Sequence, residues 1–190
     1  MGMVVEAEAY AGPEDRASHA RFGPRSRATT MFGAPGRAYV YGVYGMHTCL
    51  NVVTGPAGLA AAILIRSVVP IEGIGSMRAA RLARAIATRR MAAANPHAEH
   101  ARIACLPAAL VAAGPANLAA AFDVQLADDG LDLLDPASPL RLEAGSLDGT
   151  TRAIIAAARI GVAYAGPGWV DRPWRFVATQ APTPSPDKLA

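Results

Sequence analysis

The segment 39–51 constrains the fold more than any other part of the chain. It holds three of the five tyrosines, and its residues alternate on both sides of Tyr44-Gly45, which predicts two short strands joined by a tight turn. Gly45 can take the positive φ that such a turn needs. Tyr44 is then expected at the tip of a β-hairpin with its ring exposed, where it could insert between stacked bases. Tyr39 and Tyr41 also fit half-buried strand positions, because tyrosine favours strands.

Residues 3–10 alternate in the same way and predict a further strand. Glu6, Glu8 and Tyr10 share one face of it. Two carboxylates beside an aromatic ring suit acid–base hydrolysis of a glycosidic bond. Spacing alone favours a simpler interpretation, in which both glutamates face solvent on a half-exposed strand. A buried strand over 60–68 is expected to include Arg66.

Two longer segments predict helices. The first begins after Pro70 and continues to about Met91, and its arginines at 78, 81 and 84 share one face, which indicates a solvated surface. The second begins at Thr150 or Thr151 and continues through Arg159. The proline-rich tail, residues 181–190, is expected to be disordered. Residues 1–180 are long enough for one domain with its own core.

The composition excludes some classes of protein. The hydrophobic fraction of 52% is inflated by alanine, and the longest apolar run, Leu59–Ile65, is far shorter than the ~20 residues of a membrane-spanning helix. The N-terminal residues lack the basic start of a signal peptide. Two cysteines give no disulfide framework or zinc pattern, so we expect a cytoplasmic protein. Lys188 is the only lysine among 18 basic residues; arginine suits phosphate contacts, although GC-rich coding explains the excess equally well.

Asn51 closes the tyrosine-rich segment on the return strand of the predicted hairpin. Its amide both donates and accepts hydrogen bonds, so it could read the edge of a base. Together with an exposed ring at the hairpin tip, this pattern indicates contact with nucleic acid. It does not by itself indicate a reaction.

A set of short motifs, in order along the chain, resembles the 3-methyladenine (alkyladenine) DNA glycosylase family. The motifs are Val5-Glu6-Ala7-Glu8-Ala9-Tyr10, Gly12-Pro13-Glu14-Asp15, His19, Met31-Phe32-Gly33, Tyr39-Val40-Tyr41, Tyr44-Gly45-Met46-His47, Asn51, Leu64-Ile65-Arg66, Gly114-Pro115, Ala158-Arg159-Ile160-Gly161 and Arg175-Phe176. Each motif is short, but the ordered set extends from residue 4 to about residue 178 and is therefore specific.

The resemblance implies a fold and a function. The fold is α+β, a single domain with a curved antiparallel β-sheet core, surrounding helices and a protruding DNA-inserting β-hairpin. The implied function is repair of double-stranded DNA: a damaged, alkylated or deaminated purine is flipped out and its N-glycosidic bond is hydrolysed, which leaves an abasic site. Such an enzyme is a monomer, needs no metal or cofactor, and is associated with the bacterial nucleoid when it is bound to DNA.

The resemblance also implies roles for individual residues. Glu8 matches the general base, Arg66 the arginine that holds it, and the carbonyl of Ile160 a partner of the attacking water. Tyr10, His19 and Tyr41 match rings around the flipped base, with Ala17 near its edge and Asn51 facing the position of a guanine amino group. Tyr44 matches the wedge that fills the vacated stack, with Met46 beside it.

Two other functions are compatible with the sequence. Family members usually carry a helix and a strand before the segment that corresponds to residues 3–10, so we expect the 1–180 domain to lack both. A non-catalytic protein that binds DNA lesions is the corresponding alternative. A glycosidase acting on carbohydrates through Glu6 and Glu8 is a third hypothesis, and it predicts that Tyr44 has no role.

Overall fold

The protein, described from a computed structural model over residues 1–24, 26–87, 96–145 and 153–179, is built on one antiparallel sheet. Its seven strands are β1 (Gly2–Ala11), β2 (Ala38–Val43), β3 (His47–Thr54), β4 (Ala61–Pro70), β5 (Ala112–Ala113), β6 (Ile154–Ala157) and β7 (Arg175–Ala178). The strand order is β2-β3-β4-β1-β7-β6, and β5 pairs with β4 off this path. The β1 strand therefore lies inside the sheet, with β4 and β7 as its neighbours.

Helices complete an α+β domain, which confirms the expected fold class. They are α1 (Ile74–Ala87), α2 (Pro96–Ala104), α3 (Ala108–Val111) and α4 (Pro115–Ala121), with 3₁₀ helices at His19–Phe22, Ser26–Phe32, Leu126–Asp128 and Ala163–Ala165. Across the described ranges, none of the helices has the length and apolar character required to cross a membrane.

The two faces of the sheet have different surroundings because successive side chains on a strand point to opposite faces. The main core contains Val40, Leu50 and Ile65 together with residues of α1 and α4. The intervening residues Tyr39, Asn51 and Leu64 are also buried, and they form one transverse row with Glu8 through the pairings Tyr39↔Asn51, Asn51↔Leu64 and Leu64↔Glu8. Residues far apart in sequence thus meet on one face.

The β2 and β3 strands form the expected hairpin around Tyr44-Gly45. Val43 pairs with His47, and the N–H of Met46 donates to the carbonyl of Val43 at 3.3 Å. Both central residues have positive φ, 52° at Tyr44 and 71° at Gly45, as in a type I′ turn. Glycine takes this conformation without cost, whereas tyrosine does so rarely. Tyr44 is therefore held in an unfavourable backbone conformation.

The pairing of β1 with β4 is irregular at Glu6. The register shifts on both sides of this residue, which pairs with Ser67, and then returns to its earlier alignment at Ala7↔Ile65. Consecutive residues of a regular strand point to opposite faces. A β-bulge relaxes this rule, and both Arg66 and Ser67 donate to the carboxylate of Glu6. The irregularity thus directs two neighbouring side chains to one partner.

Two predictions of local structure were wrong. The described part of the predicted helix 150–159 contains the strand β6, whose pairing with β7 outweighs the helix propensity of alanine. The arginines of α1 do not form a solvated face: Arg78 donates to the carbonyl of Leu106, Arg84 to that of Val124, and buried Arg81 to those of Leu110 and Val111. Their guanidinium groups satisfy carbonyls of neighbouring segments.

Candidate active site

Glu8 is a fully buried carboxylate in the central strand β1, with an exposed fraction of 0%. Its Oε1 accepts a hydrogen bond from the Ile160 N–H at 2.8 Å and lies 3.2 Å from Nη1 of Arg66. Its Oε2 accepts from the hydroxyl of Tyr10 at 2.9 Å. A buried charge requires such partners, because desolvation without them is costly. The expectation from spacing that Glu8 faces solvent is wrong.

The second glutamate of the strand, Glu6, forms a network with two arginines. Its Oε1 lies 3.1 Å from Nε of Arg66 and 3.1 Å from Nη1 of Arg175, and its Oε2 accepts from Ser67 at 2.9 Å. Partial burial alone would raise the pKa of Glu6. The hydrogen bonds from Ser67 and Arg175 and the charge of Arg66 outweigh burial and hold this pKa below its ordinary value. Arg66 therefore contacts two carboxylates at once. The cluster contains the carboxylates of Glu6 and Glu8 and the guanidinium groups of Arg66 and Arg175.

A second buried ion pair fixes the segment that follows β1. Asp15 accepts two hydrogen bonds from Arg159, 2.5 Å from Nη1 and 2.9 Å from Nη2, and a third from the N–H of Ala17 at 2.9 Å. Burial opposes ionisation, but the bonds from Arg159 and Ala17 lower the pKa of Asp15. The same guanidinium lies 4.8 Å from the ring centroid of Tyr10. This pair anchors the chain on both sides of the site, because Ile160 follows Arg159.

An aromatic cavity lies beside the carboxylate. Its volume is about 40 Å³, and its walls include residues from the strands β1, β2, β3 and β4 and from three 3₁₀ helices. The lining residues are Tyr10, Ala17, Ser18, His19, Met31, Tyr39, Tyr41, Asn51, Ala62 and Tyr164. Five of the predicted site residues thus meet around one cavity: Tyr10, Ala17, His19, Tyr41 and Asn51. A purine would enter it only if the walls moved apart.

His19 and two tyrosines of β2 form one connected wall. The ring of His19 lies 4.6 Å from that of Tyr41, nearly perpendicular to it, and its Nδ1 is 2.8 Å from the hydroxyl of Tyr39. The rings of Tyr39 and Tyr41 are 5.4 Å apart. Because His19 already contacts Tyr41, a planar ligand does not fit between these two and must lie against the wall as a whole.

Tyr10 connects the carboxylate with the cavity. Its ring lines the cavity, and its hydroxyl donates to Glu8. Burial, together with the negative charge of Glu8, raises the pKa of Tyr10 well above its ordinary value. Tyr10 therefore remains a hydrogen-bond donor at neutral pH.

Asn51 completes the predicted cavity residues, whereas Ile160, Tyr44 and Met46 are not part of the cavity lining. Asn51 is buried, and its Nδ2 donates to the carbonyl of Tyr39 at 2.9 Å. Ile160 contacts Glu8 through its N–H. Tyr44 is 88% exposed at the hairpin tip, with Met46 exposed next to it. The side chains of Tyr44 and Met46 thus face solvent at the hairpin tip and do not line the cavity.

Tyr164 is a cavity residue that the sequence did not indicate. Its ring lines the cavity, and its hydroxyl donates to the carbonyl of Ala17 at 2.8 Å, across 147 positions of the chain. The residues around Tyr164 do not alternate between apolar and polar, so periodicity does not predict a buried strand position there. The only sequence signal is its position four residues after Ile160.

The fold and the site together define a class of protein: an α+β domain in which a buried carboxylate accepts a hydrogen bond from a tyrosine that lines an aromatic cavity. The methylpurine-DNA glycosylase (MPG) family model matches residues 1–182, and the chain belongs to this family. The resemblance inferred from the motifs is thereby confirmed.

Individual relatives agree with this assignment. A protein of Anaeromyxobacter dehalogenans (strain 2CP-C) is 43% identical over 175 residues, which cover 91% of this chain and 65% of that protein. One of Mycobacterium tuberculosis (strain ATCC 25618 / H37Rv) is 39% identical over 187 residues, covering 95% of this chain and 77% of that protein. Both carry the name "Putative 3-methyladenine DNA glycosylase". The chain spans about two thirds of the Anaeromyxobacter protein.

Proposed function

We propose that this protein is a DNA-repair glycosylase that flips alkylated or deaminated purines out of double-stranded DNA and hydrolyses their N-glycosidic bond. The observation that carries the proposal is the link through Tyr10, which lines the aromatic cavity and donates to buried Glu8. A base bound in the cavity would present its sugar close to a carboxylate. Family membership supports the same reaction.

Glu8 is assigned the role of general base. A carboxylate offers about four acceptor positions. The Ile160 N–H donates to Oε1, with Nη1 of Arg66 3.2 Å from the same oxygen, and the Tyr10 hydroxyl donates to Oε2. We assign a second acceptor position on Oε2 to the attacking water, from which Glu8 would take a proton. Arg66 and the Ile160 N–H fix the carboxylate for that step, and the negative charge also stabilises an oxocarbenium-like sugar.

The cavity is assigned to the flipped base. We propose that the base lies between Tyr10 on one side and the connected wall of His19 and Tyr41 on the other, with Ala17 at its edge. Flipping costs a few kcal/mol and costs least for damaged or mispaired bases. An electron-poor alkylated purine gains from contact with π-rich rings. Because the free cavity is small, binding also includes separation of its walls.

The hairpin tip is assigned to the DNA. Tyr44, with Met46 beside it, would fill the gap that the flipped base leaves in the stack. We propose that the side chain of Asn51 excludes guanine by its position opposite the amino group of that base. An alkylated base is a good leaving group, so positioned water and a carboxylate suffice, and we propose a monofunctional, monomeric enzyme that leaves an abasic site.

A glycosylase assay on a lesion panel tests the proposal. The wild-type protein is incubated with duplexes carrying 3-methyladenine, hypoxanthine or ethenoadenine, and alkali then cleaves at abasic sites. We expect alkali-dependent cleavage with the wild type, and retained binding without cleavage for Glu8→Gln. Cleavage by Glu8→Gln would overturn the role of Glu8. Wild-type binding without any abasic product would instead indicate a non-catalytic lesion-binding protein.

A further inference from the structure

An exposed arginine contacts two aromatic rings, one of which lines the cavity. The guanidinium carbon of Arg21 lies 4.4 Å from the ring centroid of Phe22 and 4.9 Å from that of Tyr164. Phe22 is 65% exposed and Tyr164 is 58% exposed. We call these three residues the rim cluster. Exposed aromatic rings grouped with arginine are typical of binding surfaces.

The rim cluster is attached directly to the cavity. Tyr164 lines the cavity and donates its hydroxyl to the carbonyl of Ala17. Arg21 belongs to the same 3₁₀ helix as His19 and donates through Nη1 to the carbonyl of Arg16. These contacts fix the position of the guanidinium relative to the cavity mouth.

The charge of Arg21 is not neutralised by a carboxylate. Arg66, Arg159 and Arg175 each form an ion pair, whereas none of the carboxylates in the described ranges lies within ion-pair distance of Arg21. The arginines of α1 donate to backbone carbonyls, and Arg84 also lies 4.0 Å from a carboxylate oxygen of Asp123. A guanidinium presents five donors in a planar fork, which matches the oxygens of a phosphate. The rim cluster thus holds a positive charge toward solvent beside the cavity.

We infer that Arg21 binds a backbone phosphate of the nucleotide whose base enters the cavity, and that Phe22 and Tyr164 orient its guanidinium for that contact. The inference rests on the proposed function, because a base inside the cavity places its own sugar and phosphate at the mouth. The contact holds the flipped nucleotide by its backbone, so it is independent of the identity of the lesion.

The salt dependence of DNA binding tests this inference. Dissociation constants are measured by fluorescence anisotropy between 50 and 200 mM KCl with a duplex carrying ethenoadenine. All variants are made in a Glu8→Gln background, so that the base is present and is not cleaved. Loss of one phosphate contact reduces the slope of log K against log [KCl] by about 0.9. We expect this reduction for Arg21→Gln, with weaker binding at 50 mM KCl. Arg21→Lys keeps the charge and should keep most of the slope.

The matched control is Arg102→Gln, which removes the same charge from an exposed arginine on α2. It should keep the wild-type slope. A wild-type slope for Arg21→Gln, or an equal reduction for Arg102→Gln, would overturn the inference. Cleavage of a hypoxanthine duplex by the wild type is measured in parallel. Its absence would contradict the proposed function, whereas an active wild type with an unchanged Arg21→Gln slope would contradict this inference alone.

Discussion

Arg66 and Glu8 form a buried ion pair between adjacent strands, with 3.2 Å between Nη1 and Oε1. The same guanidinium lies 3.1 Å from Glu6. The pair therefore belongs to a cluster in which each charge has a partner. We expect both the stability of the sheet and the position of Glu8, the proposed general base, to depend on this cluster.

Removal of the Arg66 charge should destabilise the protein. Arg66→Gln leaves Glu8 buried without its cationic partner, and breaking a buried pair from one side costs about 3–5 kcal/mol. Urea denaturation measures the loss in free energy of unfolding. Arg66→Lys, which keeps a charge but not the fork that reaches two carboxylates, should lose less stability and still show reduced glycosylase activity. A change below about 1 kcal/mol for Arg66→Gln would contradict the structure of the pair.

Glu6 should contribute to stability in a pH-dependent way. Its folded pKa lies below the ordinary value of 4.5, so ionised Glu6 stabilises the fold at neutral pH. That contribution is lost as the pH falls below about 4.5 through the lowered pKa. In urea titrations at about pH 6 and pH 3, Glu6→Gln should show a smaller acid-induced loss of stability than the wild type. The control is Glu143→Gln, which removes a carboxylate whose ion pair with Arg141 is exposed and therefore contributes little to stability.

We expect Tyr44 to lower the stability of the protein and to increase the rate of base release. Its positive φ costs roughly 1–2 kcal/mol for a residue with a Cβ, and Asn-Gly is the favoured pair in a type I′ turn. Tyr44→Asn should therefore raise the melting temperature and slow base release from duplex DNA by about tenfold or more through lost stacking. Tyr44→Phe keeps the ring and should resemble the wild type in both assays. Equal base release by Tyr44→Asn would exclude the wedge role of Tyr44.

Asn51 should limit the range of bases. Asn51→Ala removes the donor to the buried Tyr39 carbonyl, which should cost about 1–3 kcal/mol of unfolding free energy. It also removes the side chain proposed to reject the guanine amino group. The rate of 7-methylguanine release relative to hypoxanthine release should rise in single-turnover assays. If a folded Asn51→Ala protein released 7-methylguanine and hypoxanthine in the same ratio as the wild type, Asn51 would not be the residue that rejects the guanine amino group.

The hairpin and the strand β1 could be predicted because their signals are local. Alternation placed Glu6, Glu8 and Tyr10 on one face, and Gly45 marked the turn. The burial of Glu8 could not be predicted in this way, because it depends on partners 58 and 152 positions distant, Arg66 and Ile160. Local spacing does not reveal partners so distant in sequence, so it predicted that Glu8 is exposed to solvent.

Long-range pairing also explains the wrong helix. The alanines of Ile154–Ala157 favour a helix by propensity, but the open edge of β7 offers backbone hydrogen bonds that a helix in this position would leave unmade. Tyr164 was missed for a related reason, since its cavity contact depends on Ala17 in a distant segment. The motifs identified the family, whereas the physical pattern alone identified only elements.

The irregular pairing at Glu6 has a consequence for the evolution of this sheet. Because the alignment is the same before and after it, β1 and β4 could pair without interruption while every other strand kept its neighbours. A descendant with such a regular ladder would retain the topology and the hydrophobic core, yet Arg66 and Ser67 would no longer converge on Glu6. The proposed activity would then be lost while the overall architecture is unchanged. The pairing of Glu6, Arg66 and Ser67 is therefore the feature to inspect in a homologue without that activity.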